Sequence, residues 1–257
     1  MPKIADLTGK RGLVVGIANE HSIAAGCAAA FAEAGAELAV TYLNDKAKPY
    51  VQPVAEAARA SILAPCDVRV PGQLEALFAR IEKDWGRLDF VLHSIAFAER
   101  DDLHASVVNC SQEGFALAMD VSCHSFLRMA KLAAPLMTEG GCLLTVSFYG
   151  ADKVVENYNL MGPVKAALEA SVRYVAADLA DRDIRAHAIS AGPVKTRAAS
   201  GIGRFDDLMD EVRARTPAGR LVTIEEIGGI AAFLASDAGA PLTGSVVYAD
   251  NGFHTVV

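Results

Sequence analysis

Two tyrosine–lysine pairs lie close together near the middle of the sequence. Tyr149 and Lys153 are four positions apart, whereas Tyr158 and Lys165 are seven positions apart. Reduction by hydride transfer leaves negative charge on a carbonyl or enolate oxygen, and a phenol can stabilise or protonate that oxygen. A phenol has an unperturbed pKa of about 10, so a neighbouring ammonium group assists it. Either pair could therefore supply the proton-donating half of a reduction.

The position of each pair along the chain favours the wider one. Lys165 opens a helical pattern at 166–179, which leads directly into an apolar segment at 184–190. Lys153 lies too early in the chain for that arrangement. We therefore predict Tyr158 as the proton donor and Lys165 as its electrostatic partner. A surface lysine and an interface tyrosine with no chemical role remain the alternative.

Two helix-disfavouring residues separate the members of the wider pair. Gly162 and Pro163 lie between Tyr158 and Lys165. Proline is tolerated in the first turn of a helix but not in its interior. The helix is therefore predicted to begin near Pro163, with Tyr158 in the preceding turn.

A glycine-containing turn follows the first apolar segment and leads into an alanine-rich helical pattern. It runs from Gly16 to Gly26, with Ser22 and Ile23 at the predicted start of the helix. A dinucleotide pyrophosphate needs close backbone approach and the positive end of a helix dipole, and these residue types can supply both. The common GxGxxG spacing is absent, so a serine-capped helix behind a tight turn is the alternative.

Two further turns of small or polar residues follow later apolar segments. Asp67 and Val68 come after the third segment, and the Asp67 carboxylate could accept a hydrogen bond from an adenine amino group or cap the next helix. Residues 93–96, which include Ile95, follow the fourth segment, and their small side chains would let the backbone pass close to a ribose and nicotinamide. Three such turns support a dinucleotide site better than any one does alone.

The end of the second apolar segment bears on the choice of dinucleotide. An acidic residue there favours the ribose hydroxyls of NAD, and an arginine favours the 2′-phosphate of NADP. The chain has Leu43 and Asp45 at this point and no arginine between Tyr42 and Lys48. We predict NADH as the cofactor, with NADPH less favoured because Lys46 and Lys48 are nearby.

Short apolar, β-branched segments alternate with longer helical patterns throughout the chain. The predicted strands are 12–17, 37–42, 61–67, 88–95, 142–148, 184–190 and 245–250. The predicted helices include 23–34, 74–85, 115–137, 164–179 and 224–235. This alternation predicts a doubly wound, Rossmann-like α/β fold with a seven-stranded parallel sheet between helical layers. Ligands bind beyond the carboxyl ends of such strands, where the irregular stretches 97–111, 148–162 and 193–217 begin.

Length and composition narrow the class of protein. A chain of 257 residues that is 52% hydrophobic can bury one large core, so residues 1–257 are predicted to form a single domain. The net charge is −7 and no basic run occurs, so nucleic acid is not an expected partner.

No apolar run is long enough to span a bilayer and no secretion signal is evident, so we expect a soluble, cytoplasmic protein. Five cysteines without a CxxC pair and six histidines without HxxxH predict no metal.

Taken together, these features resemble the enoyl-[acyl-carrier-protein] reductases, a divergent branch of the short-chain dehydrogenases. The resemblance covers essentially the whole chain. The segments that carry it are 16–26, 93–98, 157–165, 189–193, 198–202 and 216–217. Its most specific part is the separation of Tyr158 from Lys165 by six residues, because ordinary short-chain dehydrogenases have the YxxxK spacing.

The resemblance implies an NADH-dependent reduction of the 2,3 double bond of trans-2-enoyl thioesters on acyl carrier protein, in bacterial fatty-acid synthesis, by a homotetramer. Tyr158 would stabilise the enolate and Lys165 would bind the nicotinamide ribose. The implied cofactor-lining residues, besides Lys165, are Gly16, Ser22, Ile23, Leu43, Asp67, Val68, Ile95, Val194 and Thr196. The implied substrate contacts are Ala98, Phe148, Ala198, Ile202 and Phe205, the last three on a flap at about 194–217.

The sequence departs from this family at two places. Phe148 stands where the family usually has a second tyrosine, so the hydrogen bond of that tyrosine is missing or moved to Tyr149, which we include as a third catalytic candidate. The segment 100–110 is also unlike the family, and it lies near the expected substrate entrance. Substrate preference could therefore differ.

Two other functions remain open on the sequence. One is a carbonyl reductase or hydroxyacyl dehydrogenase that uses Tyr149 and Lys153. The other is a nucleotide-binding regulator that has lost turnover through Phe148.

Overall fold

Seven parallel strands form one continuous sheet in the computed structural model, which describes residues 5–196, 203 and 205–256, except for the side chains at 205 and 206. The strands are β1 Arg11–Val15, β2 Glu37–Tyr42, β3 Ile62–Pro65, β4 Phe90–His93, β5 Gly141–Phe148, β6 Ile184–Ala191 and β7 Ser245–Ala249. Their spatial order is β3-β2-β1-β4-β5-β6-β7. The chain reverses direction across the sheet between β1 and β4, where doubly wound folds bind ligands. The predicted seven-stranded Rossmann-like sheet is confirmed.

Nine helices connect or flank these strands in the described part of the chain. They are α1 Ile23–Glu33, α2 Lys48–Ala57, α3 Gln73–Trp85, α4 Arg100–His104, α5 Gln112–Met119, α6 Ser125–Ala133, α7 Met161–Asp178, α8 Phe205–Arg215 and α9 Ile224–Ala235. None of these described helices is long and apolar enough to cross a membrane.

Apolar residues on both faces of the sheet build two separate cores. Leu13 and Val15 pack on one face with side chains from α3, α6 and α7, whereas Val14 packs on the other with α1, α2 and α9. Successive side chains of a strand point to opposite faces, so a strand buried on both sides is apolar at most of its positions. This is why the strands appear in the sequence as short continuous apolar runs.

Three helical predictions need correction. The predicted helix 115–137 is instead α5, a π-helical segment at Asp120–His124 and then α6. Helix α2 was not predicted, because it contains prolines at 49 and 53 and proline disfavours a helix interior. The first of these prolines lies in the opening turn, where proline is tolerated. Short helices α4 and α8 also occur within stretches predicted to be irregular.

A buried histidine fixes the end of β4 against the π-helical segment. His93 lies 2.7 Å through Nε2 from the hydroxyl of Ser125 and 2.8 Å through Nδ1 from the hydroxyl of Thr145. The Ser125 hydroxyl donates its hydrogen to the Val121 carbonyl, so it must accept one from Nε2 of His93. Burial lowers the pKa of His93 to about 3, and the ring is therefore neutral.

A second serine of the π-helical segment clamps the chain just beyond β4. The fully buried Ser122 hydroxyl accepts a hydrogen bond from the Phe97 N–H at 2.9 Å and donates one to the Phe97 carbonyl at 3.1 Å. Single-turn π segments occur mostly as insertions in helices near functional sites. Here the segment holds the backbone that follows β4 in place.

Candidate active site

Two adjoining cavities open at the carboxyl ends of the strands. The larger, about 690 Å³, is lined by the turns that follow β1, β2, β3 and β4. The smaller, about 300 Å³, is lined by residues that follow β4, β5 and β6 and by the start of α7. Ala96 and Phe97 line both cavities. The segment clamped by Ser122 is therefore the wall between them.

Most of the site residues expected from the sequence line one of these cavities. Gly16, Leu43, Asp67, Val68 and Ile95 line the larger cavity. The smaller cavity is lined by Ile23, Ala98, Phe148, Tyr158, Lys165, Val194 and Thr196. Ala198 and Ile202 lie outside the described residues, as does the side chain of Phe205.

The glycine turn after β1 has the geometry that a dinucleotide needs. Gly16 has a φ of +109°, and a Cβ atom built there would lie 2.0 Å from the Ser94 carbonyl oxygen. Only glycine allows the β1 and β4 turns to approach so closely. The space left above them, and the start of α1 behind them, suit a pyrophosphate.

Ser22 lies behind this turn instead of on a cavity wall. It is buried, and its hydroxyl donates a hydrogen bond to the Asn19 carbonyl at 2.6 Å. It occupies the N-cap position of α1, but its side chain stabilises the preceding turn. A contribution of Ser22 to cofactor binding would therefore have to come through its backbone or after a side-chain rotation.

Asp67 faces the larger cavity and pairs with an arginine that sequence reasoning missed. Arg69 contacts the Asp67 carboxylate at 2.8 Å, and this hydrogen bond holds the pKa of Asp67 below its usual range. The next helix, α3, has Gly72 at its N-cap, so Asp67 does not cap it. No spacing pattern marks Arg69, because its contact with Asp67 depends on the local turn and its contact with the Phe97 ring forms only when the turns after β3 and β4 meet.

Tyr158 lies in a turn that two asparagines make possible. Asn157 and Asn159 have φ values of +63° and +43°, a region that asparagine adopts more readily than most residues. The Asn159 amide also donates a hydrogen bond to the Leu103 carbonyl of α4 at 2.9 Å. Tyr158 itself is buried, with its ring centroid 4.8 Å from that of Phe148. Burial, helped by the charge of Glu169, raises the pKa of Tyr158, which keeps the phenol protonated.

Lys165 lies on the first turns of α7 and reaches the floor of the smaller cavity. Its Nζ donates a hydrogen bond to the Val146 carbonyl at 2.6 Å, and the side chain is 5% exposed. Burial lowers its pKa to about 8, although nearby Glu169 opposes the change. The Glu169 carboxyl in turn accepts a hydrogen bond from the Ser147 hydroxyl. Helix α7 begins at Met161, so Tyr158 precedes it, as the proline argument predicts.

The narrower tyrosine–lysine pair lies outside both cavities in the described structure. The Tyr149 ring packs edge-on against Phe253 with centroids 5.6 Å apart, next to the buried Val212 of α8. Lys153 is exposed and pairs with Asp152 at 3.5 Å. The structure thus separates the catalytic candidate Tyr149 from Tyr158 and Lys165. Phe148, its neighbour, turns toward the cavity instead.

The rest of the smaller cavity is apolar and suits a hydrocarbon chain. Ala98, Phe148, Met161 and Leu103 line it. Leu103 comes from α4, within the segment that departs from the family, and Asp102 ties α4 to the N-cap residue Ser111 of α5. The described residues contain no cluster of three or more histidine, cysteine or carboxylate side chains that could hold a metal ion.

Comparison with known proteins identifies the family of this chain. The family model described as enoyl-(acyl carrier protein) reductase matches residues 16–254. The enoyl-[acyl-carrier-protein] reductase [NADH] 1 of Rhizobium meliloti is 47% identical over 97% of this chain and 92% of its own.

Two solved structures have the same fold. The enoyl-(acyl-carrier-protein) reductase of Anaplasma phagocytophilum in complex with NAD is 44% identical, with a TM-score of 0.93 over 97% of this chain and 95% of its own. The Bacillus cereus enoyl-acyl carrier protein reductase with NADP+ and indole naphthyridinone is 42% identical, with a TM-score of 0.95 over 98% of each chain. Because a family model and full-length relatives agree, this chain belongs to the enoyl-(acyl carrier protein) reductase family of the short-chain dehydrogenases.

Proposed function

We propose that this protein reduces the 2,3 double bond of trans-2-enoyl thioesters carried on acyl carrier protein, with NADH as reductant, in bacterial fatty-acid synthesis. One observation carries the proposal: buried Tyr158 and Lys165 meet in an apolar cavity that adjoins a dinucleotide-sized cavity. Curated relatives named as NADH-dependent reductases of this kind support it.

The residues of the smaller cavity divide the chemistry between them. When bound, NADH supplies the hydride that is transferred to C3 of the enoyl thioester. Tyr158, a neutral phenol, donates a hydrogen bond to the thioester oxygen on which negative charge develops. The Lys165 ammonium stabilises that charge and holds the nicotinamide ribose. The apolar lining excludes water and strengthens both interactions.

Phe148 makes Tyr158 the sole phenol among the described residues of this cavity. The Phe148 ring packs against the Tyr158 ring and restricts its position, but it donates no hydrogen bond. The hydrogen bond to the enolate oxygen therefore comes from Tyr158, and the enolate becomes the saturated thioester when C2 takes up a proton.

The assignment is tested by following NADH oxidation with three kinds of acceptor. Crotonyl and longer enoyl thioesters on acyl carrier protein are expected to be reduced, whereas ketoacyl thioesters are not. NADPH is expected to be a poorer reductant, since the described cavity wall after β2 offers Lys46 but no arginine. Reduction of ketoacyl thioesters without enoyl turnover would establish a carbonyl reductase instead. Tight NADH binding without turnover of any acceptor would indicate a regulator.

We expect NADH affinity to depend on the protonation of Lys165. The pKa of this lysine is lowered to about 8, so its ammonium form predominates below that pH and is lost as the pH rises through it. Equilibrium titration by NADH fluorescence should give a constant affinity from pH 6.5 to 7.5 and a fall of up to about tenfold per pH unit above pH 8.

The Lys165→Arg variant provides the control for this titration. Its guanidinium stays charged across the whole range, so its NADH affinity should change little with pH. A wild-type affinity that stays flat from pH 7 to pH 9.5 would separate Lys165 from cofactor binding.

We further propose that the chain forms a homotetramer in the cytoplasm. Edge strand β7 carries Val246 and Val247 only partly buried, and Tyr174 on α7 is 74% exposed, which leaves apolar surface for subunit contacts. All five cysteines are free thiols, which suits a reducing compartment.

A further inference from the structure

The turn after β3 has a backbone fixed from three directions. The Cys66 N–H donates to the Tyr42 carbonyl of β2 at 2.9 Å, and the Asp67 N–H donates to the Gln73 side chain of α3 at 2.8 Å. The Val68 carbonyl accepts a hydrogen bond from Arg128 of α6 at 2.9 Å. With the backbone held in this way, the orientation of the Asp67 carboxylate depends on its own side-chain contacts.

Arg69 supplies those contacts. Its Nε lies 3.0 Å from Oδ1 of Asp67 and its Nη2 lies 2.8 Å from Oδ2, while the Arg69 backbone N–H also donates to Oδ1 at 3.0 Å. An ionised carboxylate has about four acceptor positions, so at least one remains for another donor. Arg69 keeps the Asp67 pKa low, and the carboxylate can therefore only accept hydrogen bonds. Both side chains line the larger cavity.

The guanidinium of Arg69 is itself held by an aromatic ring. Its Cζ lies 5.2 Å from the ring centroid of Phe97, within the range of a cation–π interaction. The backbone from which this ring extends is fixed, because the Ser122 hydroxyl bonds both the N–H and the carbonyl of Phe97. Along the wall of the larger cavity, Arg69 is therefore held between the carboxylate of Asp67 and the ring of Phe97.

We propose that Arg69 determines specificity for the adenine half of the cofactor. It orients the Asp67 carboxylate so that the free acceptor position receives the adenine amino group, and its planar guanidinium presents a cationic surface to the base. This role rests on the proposed function, since it takes NADH as the ligand. A lysine could not perform it, because an ammonium group lacks the planar two-pronged geometry that fixes a carboxylate.

The test compares the binding of NADH with that of deamino-NADH, in which hypoxanthine replaces adenine and the amino group is absent. Dissociation constants are measured by NADH fluorescence for wild type, Arg69→Ala, Arg69→Lys and Arg80→Ala. Arg80 is the matched control, because it makes a similar pair with Asp84 at 2.7 Å on the exposed face of α3. Thermal unfolding establishes that each variant is folded.

Wild type is expected to bind NADH about tenfold more tightly than deamino-NADH, as suits one hydrogen bond to a charged acceptor. Arg69→Ala and Arg69→Lys should reduce that ratio to about twofold or less, mainly through weaker NADH binding. Arg80→Ala should keep the wild-type ratio.

Three results would overturn the inference while leaving the proposed function intact. The first is equal binding of NADH and deamino-NADH by wild type. The second is an unchanged ratio of the two dissociation constants in both Arg69 variants. The third is tighter NADH binding by Arg69→Ala, which would mean that Arg69 competes with the adenine amino group for Asp67. Failure of wild type to bind either dinucleotide would instead remove the proposed function.

Discussion

Replacement of Tyr158 by phenylalanine is expected to lower the turnover of an enoyl thioester by about 100-fold or more, without weakening NADH binding. Among the described residues that line the smaller cavity, Tyr158 is the one phenol, because the adjoining aromatic residue is Phe148. The substitution removes a single oxygen, and the ring can keep its packing against Phe148. Steady-state kinetics and equilibrium NADH titration of the same preparation measure the two effects separately.

Tyr149→Phe is the matched comparison for this experiment. Its ring packs against Phe253 on the far side of the β5 terminus, so loss of its hydroxyl should leave enoyl turnover near the wild-type level. The opposite pattern, with turnover lost in Tyr149→Phe and retained in Tyr158→Phe, would assign the chemistry to the narrower pair.

Gly16→Ala is expected to weaken NADH binding by about 100-fold or more, equivalent to about 2.7 kcal/mol. Two costs combine at this position. An alanine at a φ of +109° is strained by about 1 kcal/mol or more, and its Cβ would lie 2.0 Å from the Ser94 carbonyl oxygen. The β1 and β4 turns must therefore move apart, which displaces the backbone on which the pyrophosphate rests. Equilibrium titration with NADH measures the loss, and thermal unfolding measures the accompanying destabilisation.

Gly72→Ala separates backbone strain from the steric clash. Gly72 also has a positive φ, +84°, but a Cβ atom there would meet nothing within 4 Å. This variant should lose about 1 kcal/mol of stability and bind NADH normally. Similar losses of NADH affinity in both variants would mean that strain alone, and not the approach of the two turns, controls the site.

Much of this architecture is predictable because its determinants are local. Each strand is a short apolar run, since both faces of the sheet are covered. The Tyr158 to Lys165 spacing also needs no tertiary information, and the position of Pro163 places the start of α7 to within two residues. The position of Tyr149 was not predictable in this way, because β5 ends at Phe148 and Tyr149 lies in the 3-10 turn that follows it.

Other features depend on contacts between distant segments and leave no pattern in the sequence. The π-helical segment between α5 and α6 interrupts a continuous helical periodicity, and its serines are explained only by His93 and Phe97 beside them. Arg69 resembles any exposed arginine until the turn after β4 brings Phe97 under it.

The hydrogen bond from Asn159 to the Leu103 carbonyl has a further consequence. It joins α4, whose Leu103 lines the smaller cavity, to the turn that carries Tyr158, so a movement of α4 is transmitted to that turn. We expect an acyl chain that displaces Leu103 to pull also on Asn159, the residue next to Tyr158. The way an acyl chain fits far from its double bond would then affect the alignment of Tyr158 with the reacting atoms. We therefore expect chain length to change the turnover rate as well as the binding of the substrate.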